Sequence, residues 1–525
     1  MNWRAVELHT HTSHSDGKMT VEELLQKAKE NHLAIIALTD HNTNSGLLEA
    51  GSRVIPGIEW TTYYGHMTVL GASRYVDWRD MDPRNLDEKL WEIRRLGGLF
   101  CVAHPFRMGS PVCTGCHFEC QIKDAGLINL WEAWSGENAA FKPDNAQSLR
   151  TWTRKLDGGA RTAAVYGRDW HAPEAGGPVA VTYIGVDGEL TVPKALDSLR
   201  HGRTAVTMGP APVLTVKKAG RCYHPGDEVS VGPAVVQLRM MLEDRREIWQ
   251  DYDLSIQQIR LLGPGGRLLA QEPYQPEGNS FLLYLENGYL RAEVWGEMQD
   301  KACLLAFTSA VFFRHATMIT AHAGAEDTQP NSITSIRQAI ETGCEAMEVD
   351  VRCHQETLVL SHNPVADNQK DVVTLEQCFS MLAAVTKMRI NCDMKETGLV
   401  KAVVELARKW GLASRLIFTG SLDEKDMRAF PERPEAFWNI AIQREPAPFV
   451  SARKLSCEYV NLDKCHVTDE LLIAARENGM KVSAWTADDE EEIKALLRMG
   501  VHNITTNYPI LAMALREAME REQNE

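Results

Sequence analysis

His9 and His11 stand two residues apart at the end of an apolar-leaning run, Ala5-Val6-Glu7-Leu8, so on a strand both imidazoles face one point. Two neutral imidazoles converging at a strand end are donors for a transition metal. Asp16 follows, and further ligand types mark later apolar runs. His41 follows Ala34–Leu38, Glu59 follows Val54–Ile58, His66 opens Met67–Gly71, His104 follows Gly98–Ala103, and Asp169 and His171 follow Ala163–Gly167. Any one of these reads alone as a satisfied structural residue; nine at successive strand ends read as a metal centre. Mixed imidazole and carboxylate donors suit Zn, Mn or Fe. Cations held this way acidify a water to hydroxide near neutral pH and bind a substrate's oxygens. Arg168, beside two of the ligands, and Arg107, after His104-Pro105-Phe106, are candidate clamps for a phosphoryl oxygen. Pairing with a structural carboxylate is the alternative for each.

A second set lies far along the chain. Glu348 and Asp350 share one strand face and, with Asp393, form an oxygen-ligand site suited to Mg or Ca. His322 and His362 beside a hard cation suggest an acid–base pair. Lys395 and Trp485 cap two further strand-like runs.

The elements that must position these groups are legible from periodicity. Thr20-x-x-Glu23 is a capping box, with Val21, Leu24, Leu25 and Ala28 following at helical spacing. Ala34–Leu38 is a continuous apolar run, as in a strand buried in a parallel sheet. Ligands therefore fall at the C-terminal ends of strands, where α/β barrels place their chemistry. From about residue 211 to 314 helical periodicity vanishes, and short strand-like runs separated by Gly, Pro and Asp clusters read as an antiparallel β-sandwich. From about 315 strand and helix alternate again, with helices at Ile333–Thr342, Leu399–Trp410, Asp469–Asn478 and Asp488–Met499. Each is closed by a glycine, Gly343, Gly411, Gly479 and Gly500. Eight strands, among them Phe437–Ile442, make a TIM-type (βα)8 barrel, with Thr357–Ser361 as an added hairpin strand. The expected organisation is an α/β multidomain chain divided at 1–210, 211–314 and 315–525.

Composition bounds the function. A chain of 525 residues exceeds one core. A net charge of -15 argues against nucleic-acid or anionic-membrane partners. No apolar run approaches the roughly 20 residues of a membrane span. The metal motif within the first ten residues leaves no room for a signal peptide, so the cytoplasm is the expected address and the cysteines are expected as reduced thiols. Cys113-x-x-Cys116-His117-x-x-Cys120 spells a haem-attachment string that needs an export signal; a free-thiol loop is the default and a structural zinc the alternative. A homo-oligomer stays open.

Residues 5 to 210 resemble the PHP (polymerase and histidinol phosphatase) metallohydrolase superfamily. The matching stretches are His-Thr-His-Thr…Ser-Asp-Gly, Leu-Thr-Asp-His, Pro-Gly-Ile-Glu, Ala-His-Pro and Gly-x-Asp-x-His. Gly202-Arg203-Thr204…Gly209-Pro210 points to the carbaryl-hydrolase-like branch. The resemblance implies a distorted (βα)7 barrel with two or three divalent metals. His9, His11, Glu59 and Asp169 would hold one, Glu59, His66 and His104 a second, and Asp16, His41 and His171 a third. Residues 318 to about 515 resemble the glycerophosphodiester phosphodiesterase family through Ala-His-x-Gly, Glu-x-Asp, Ser-His, an acidic-x-Lys strand end and Trp-Thr…Gly-Val…Ile-Thr. That implies His322 and His362 as acid and base, Glu348, Asp350 and Asp393 as metal ligands, Lys395 neutralising phosphate and Trp485 lining the pocket. Ala323, Asn363, Asp393 and Asn507 depart from the usual Arg, Asp, Glu and Asp. The expected function is a metal-dependent phosphoesterase with two hydrolytic sites acting on small-molecule phosphoesters. The alternative has the first site cleave a carboxylic or carbamate ester and the last barrel bind a phosphate ester without turnover.

Overall fold

The computed structural model describes residues 1–525 except 108–116, 175, 367, 370, 386, 423, 429, 431–434, 440–447 and 523–525. The chain folds as two compact units, Met1–Arg314 and His315–Glu525, and the β-rich middle residues belong to the first. Among the described residues no helix is long and apolar enough to cross a membrane.

The first unit begins with β1 (Asn2–Glu7), β2 (Ile35–Leu38), β3 (Ile55–Thr62), β4 (Gly65–Leu70), β5 (Leu99–Ala103), β6 (Leu130–Ser135) and β7 (Ala163–Gly167), side by side in chain order. β1 to β3 pair in parallel, as do β5 to β7, while β4 runs antiparallel to both neighbours and distorts the barrel. β8 (Val181–Val186) lies antiparallel on β1, and β9 (Thr204–Thr207) on β8. Val6, Ala37, Ile55, Leu70, Leu99, Leu130, Ala163 and Ile184 form one core beneath the strand ends. The helix Val21–Glu30 starts with the expected capping box: Glu23 N–H donates to Thr20 Oγ1, and Thr20 N–H to the Glu23 carboxylate.

The middle strands are β10 (Ala211–Lys218), β11 (Arg221–Tyr223), β12 (Glu228–Ser230), β13 (Gly232–Met241), β14 (Leu254–Leu262), β15 (Leu268–Pro273), β16 (Asn279–Leu285), β17 (Gly288–Met298), β18 (Lys301–Thr308) and β19 (Val311–Arg314). They form two sheets, β11-β10-β13-β16 and a second built on β17, whose inner faces share one core. Leu214, Val236 and Phe281 meet Ile259, Val294 and Phe313 there. β18 pairs with β9, so the second sheet continues the barrel sheet. Ser309 reinforces the join: its Oγ accepts from Ala164 N–H and bonds Thr204 Oγ1.

The second unit holds β20 (Met318–Ala321), β21 (Ala346–His354), β22 (Thr357–Leu360), β23 (Arg389–Met394), β24 (Leu416–Gly420), β25 (Glu435–Asn439), β26 (Tyr459–Asp463), β27 (Lys481–Trp485) and β28 (Asn503–Thr506). Eight of these are parallel and close into a barrel, because β20 pairs with both β21 and β28. β22 is the added hairpin strand, antiparallel to β21. The end of the expected strand Phe437–Ile442 lies outside the described residues. Helices Ile333–Thr342, Val400–Trp410 and Glu490–Met499 stop at Gly343, Gly411 and Gly500, whose φ values of 73°, 67° and 74° are those of left-handed caps.

Candidate active sites

Backbone pairing at the ends of β1 and β7 brings the first ligand-type residues together. Trp170 N–H donates to His9 O, and His11 N–H donates to Trp170 O. Single parallel bridges at Thr10–Trp170 and His41–Glu59 continue the register past the strands. Fully buried Glu59 is the hub. Its Oε2 lies 3.2 Å from His9 Nε2, 3.4 Å from His11 Nε2 and 2.8 Å from His41 Nδ1. Its Oε1 lies 3.0 Å from His66 Nδ1 and 3.2 Å from His104 Nε2. Asp169 Oδ1 is 3.0 Å from His11 Nε2, and Asp16 Oδ1 is 3.1 Å from His171 Nε2. Three groups have donor atoms close enough to share an ion: His9, His11, Glu59 and Asp169; His11, Asp16, His41 and His171; His41, Glu59 and His66. His41 thus stands beside His66 in the last group, and His104 joins it through Glu59.

The donors fit cations. Among the described residues His9 Nε2, both His11 ring nitrogens, Glu59 Oε2, His66 Nε2 and Asp169 Oδ1 are shielded from solvent and have no well-formed hydrogen bond. Buried polar atoms are rarely left so, and a shared cation resolves the whole set. Burial opposes ionisation of Glu59 and Asp169, but facing imidazoles, His9 foremost, hold both carboxyls well below their usual range. The His104 and Asp169 backbones have positive φ, 27° and 56°, conformations that cost energy and cluster at functional sites.

A second layer orients these donors. Glu132, buried on β6, accepts from His9 Nδ1 at 2.7 Å and from His104 N–H at 2.7 Å. The first bond fixes the ring and turns His9 Nε2 toward Glu59. Glu7 accepts from the backbone N–H groups of Leu8, His9 and Arg168, and Asp40 pins Thr12 and Ser15. Glu132→Ala is expected to lower metal affinity or activity of this site about 10- to 100-fold, read by metal titration of the purified chain.

Of the two arginines, Arg107 faces the cluster, its Nη1 donating to Asp169 Oδ2. Arg168 does not. Its guanidinium lies 3.9 Å over the Trp170 ring and lines a small cavity with Glu7, Asn31 and Arg245, which corrects its reading as a phosphate clamp. Successive residues alternate sides, so Asp169 and His171 face the ligands while Arg168 and Trp170 face away. Cys113 and Cys116 lie outside the described residues. Cys120 is a buried thiol that burial pushes up to about 12.

In the second unit Glu348, Asp350 and Asp393 project together from β21 and β23. Burial, then the Asp393 and Asp350 charges, push the Glu348 carboxyl up to about 8. Lys395 bonds Asp393 and lies 2.8 Å from Asp350 Oδ1. Asn331 and Asp350 bond reciprocally, Asn331 Nδ2 to Asp350 Oδ2 and Asp350 N–H to Asn331 Oδ1. His322 Nε2 is 3.7 Å from Glu348 Oε1, and its Nδ1 is 2.8 Å from Asn507 Oδ1. Asp488 accepts from both Asn507 N–H and Asn507 Nδ2, which turns Asn507 Oδ1 toward the ring. His322 Nδ1 is therefore the donor, and Nε2 carries the lone pair. Sequence reading noted Asn507 only as a departure and missed Asp488. His362 is exposed on the loop after β22, beside Asn363, with its carbonyl held by Arg352; no bond joins its ring to the carboxylates among the described residues. Trp485 ends β27, 38% exposed.

Comparison with known proteins divides along the same lines. Residues 7–77 match the family model PHP domain, and residues 355–511 match the Glycerophosphoryl diester phosphodiesterase family. A glycerophosphodiester phosphodiesterase of Bacillus altitudinis is 20% identical over 245 residues, 39% of this chain and all of that protein. A 3',5'-nucleoside bisphosphate phosphatase of Chromobacterium violaceum is 38% identical over 71 residues, 12% of this chain and 25% of that protein. Among solved structures, a two-domain protein from Bacteroides vulgatus containing a PHP-like metal-dependent phosphoesterase aligns with a TM-score of 0.34 at 15% identity, covering 59% of this chain and 95% of its own. The chain carries a PHP domain at its N-terminus and a domain of the glycerophosphoryl diester phosphodiesterase family at its C-terminus.

Proposed function

We propose that the chain is a hydrolase of small-molecule phosphoesters with two metal-dependent sites, a PHP phosphoesterase site and a glycerophosphodiester-type phosphodiesterase site. The observation that carries this is the cluster of nine imidazole and carboxylate side chains with Glu59 at its centre, five of them histidines that meet its carboxylate. In this reading His9, His11, Glu59 and Asp169 hold one cation, Glu59, His66 and His104 a second, and Asp16, His41 and His171 a third. Glu348, Asp350 and Asp393 hold Mg or Ca in the other site. Zn, Mn or Fe at the first centre would acidify a bound water and polarise phosphoryl oxygens. Glu132 fixes the His9 tautomer, and Arg107 adds positive charge beside Asp169. In the second site His322 Nε2 takes a proton from the attacking hydroxyl or water, Lys395 neutralises the phosphoryl charge, and His362 is the acid candidate.

Metal analysis of the whole chain should find two or three transition-metal equivalents. Metal-replete protein should turn over nitrophenyl phosphates, cyclic phosphates or glycerophosphodiesters, and chelation should abolish the activity. No turnover on any of these substrates would sink the reading.

A further inference from the structure

Outside the two candidate sites, the described residues hold one further group of mixed metal donors, Asp463, Cys465 and His466, on the turn that follows β26. Parallel barrel strands bring their C-terminal ends to one mouth, and Asp463 closes β26 in register with Trp485 of β27. The three donor atoms lie within 4.8 Å of one another. Cys465 Sγ is 3.4 Å from His466 Nδ1. Zinc–sulfur and zinc–nitrogen bonds of about 2.3 and 2.0–2.1 Å at a tetrahedral angle set such ligands roughly 3.5 Å apart, so this pair already spans one edge of the polyhedron. Asp463 Oδ1 stands 2.6 Å from the sulfur, accepting from the thiol, and accepts from Cys465 N–H at 3.0 Å, which fixes the carboxylate over the turn. Lys464, between the donors in sequence, has its charge paired with Glu492, 2.5 Å away.

Exposure sets this thiol apart. Of the ten described cysteines seven are buried, and of the exposed Cys222, Cys353 and Cys465 only the last stands in a donor group. A reachable sulfur beside an imidazole and a carboxylate is a donor set that a soft or borderline cation selects.

We propose that Asp463, Cys465 and His466 bind a thiophilic divalent cation, zinc above all, at the mouth of the second barrel and apart from the carboxylate trio Glu348, Asp350 and Asp393. The cation takes the place of the thiol proton, which leaves to solvent as the sulfur–metal bond forms. Three protein donors leave the fourth position to a water. The two donor sets thereby sort cations by softness: thiolate and imidazole take zinc, and three carboxylates take Mg or Ca. Binding here requires no turnover at either candidate site.

The test titrates cobalt(II) into the metal-free full chain carrying Cys113→Ser and Cys116→Ser, which removes the thiols of the earlier cysteine string. The donors around Glu59 include no sulfur, so cobalt held there gives no thiolate-to-metal absorption. A thiolate–cobalt charge-transfer band should grow to one equivalent and be bleached by zinc. Cys465→Ala should abolish it. His466→Ala, and Asp463→Asn, which keeps an oxygen to accept from Cys465 N–H, should each weaken cobalt binding about tenfold or more. No band, a band that persists in Cys465→Ala, or unchanged affinity in His466→Ala would overturn the site.

Discussion

Glu59→Ala is expected to cost the first site more than about a thousandfold in phosphoesterase activity, because several kcal/mol of charge stabilisation goes with the metals it organises. No other side chain in the cluster touches so many partners: His9, His11, His41, His66 and His104 all lie within 3.4 Å of its carboxylate. Its removal leaves six imidazoles, His171 among them, with Asp169 and Asp16 as the remaining carboxylates. His9 shows the consequence. Burial opposes its protonation, but Glu59, Glu132 and Asp169 together hold its proton well above the usual histidine range. Without Glu59 that support weakens, and the proposed cations would lose the carboxylate that two candidate groups share. Metal content should fall with activity, and the second unit's diesterase should be unaffected. Full metal occupancy with full activity in Glu59→Ala would refute the hub role.

How much of this was legible depended on whether chemistry and pattern coincided. The nine ligand types were visible because polar residues closing apolar runs stand out, and because parallel strands gather their C-terminal ends at one mouth. The glycine stops in the second barrel were visible for the same kind of local reason: only a left-handed residue ends a helix so abruptly. Glu132 was not visible. It sits inside Leu130–Ser135, where a single carboxylate resembles the outward residue of any half-buried strand, and only the fold turns it onto His9. For Arg168 the clamp and the structural reading stood side by side, although the alternation that turns it away was already in the sequence.

His322→Ala is expected to lower diesterase activity by about 10²–10⁴, the range for removing a positioned acid or base, while first-site activity stays intact. The geometry already prepares this ring. Asp488 fixes the Asn507 amide, Asn507 Oδ1 accepts from Nδ1, and the Nε2 lone pair is left toward Glu348 and the carboxylates. An alanine removes the proposed proton acceptor without touching Glu348, Asp350 and Asp393, the trio proposed to hold the cation, so Mg or Ca binding should survive in His322→Ala. Asn507→Leu tests the same arrangement from behind: the ring stays, its tautomer is no longer enforced, and kcat should fall further than KM rises. Ala323 sharpens the stakes. It is buried and carries no charge where the resembling family has an arginine, so in the proposed reaction phosphate neutralisation would fall to Lys395, already engaged with Asp350 and Asp393. If diesterase activity survives His322→Ala undiminished, the second barrel is a phosphate-ester binding module, and catalysis resides in the first unit alone.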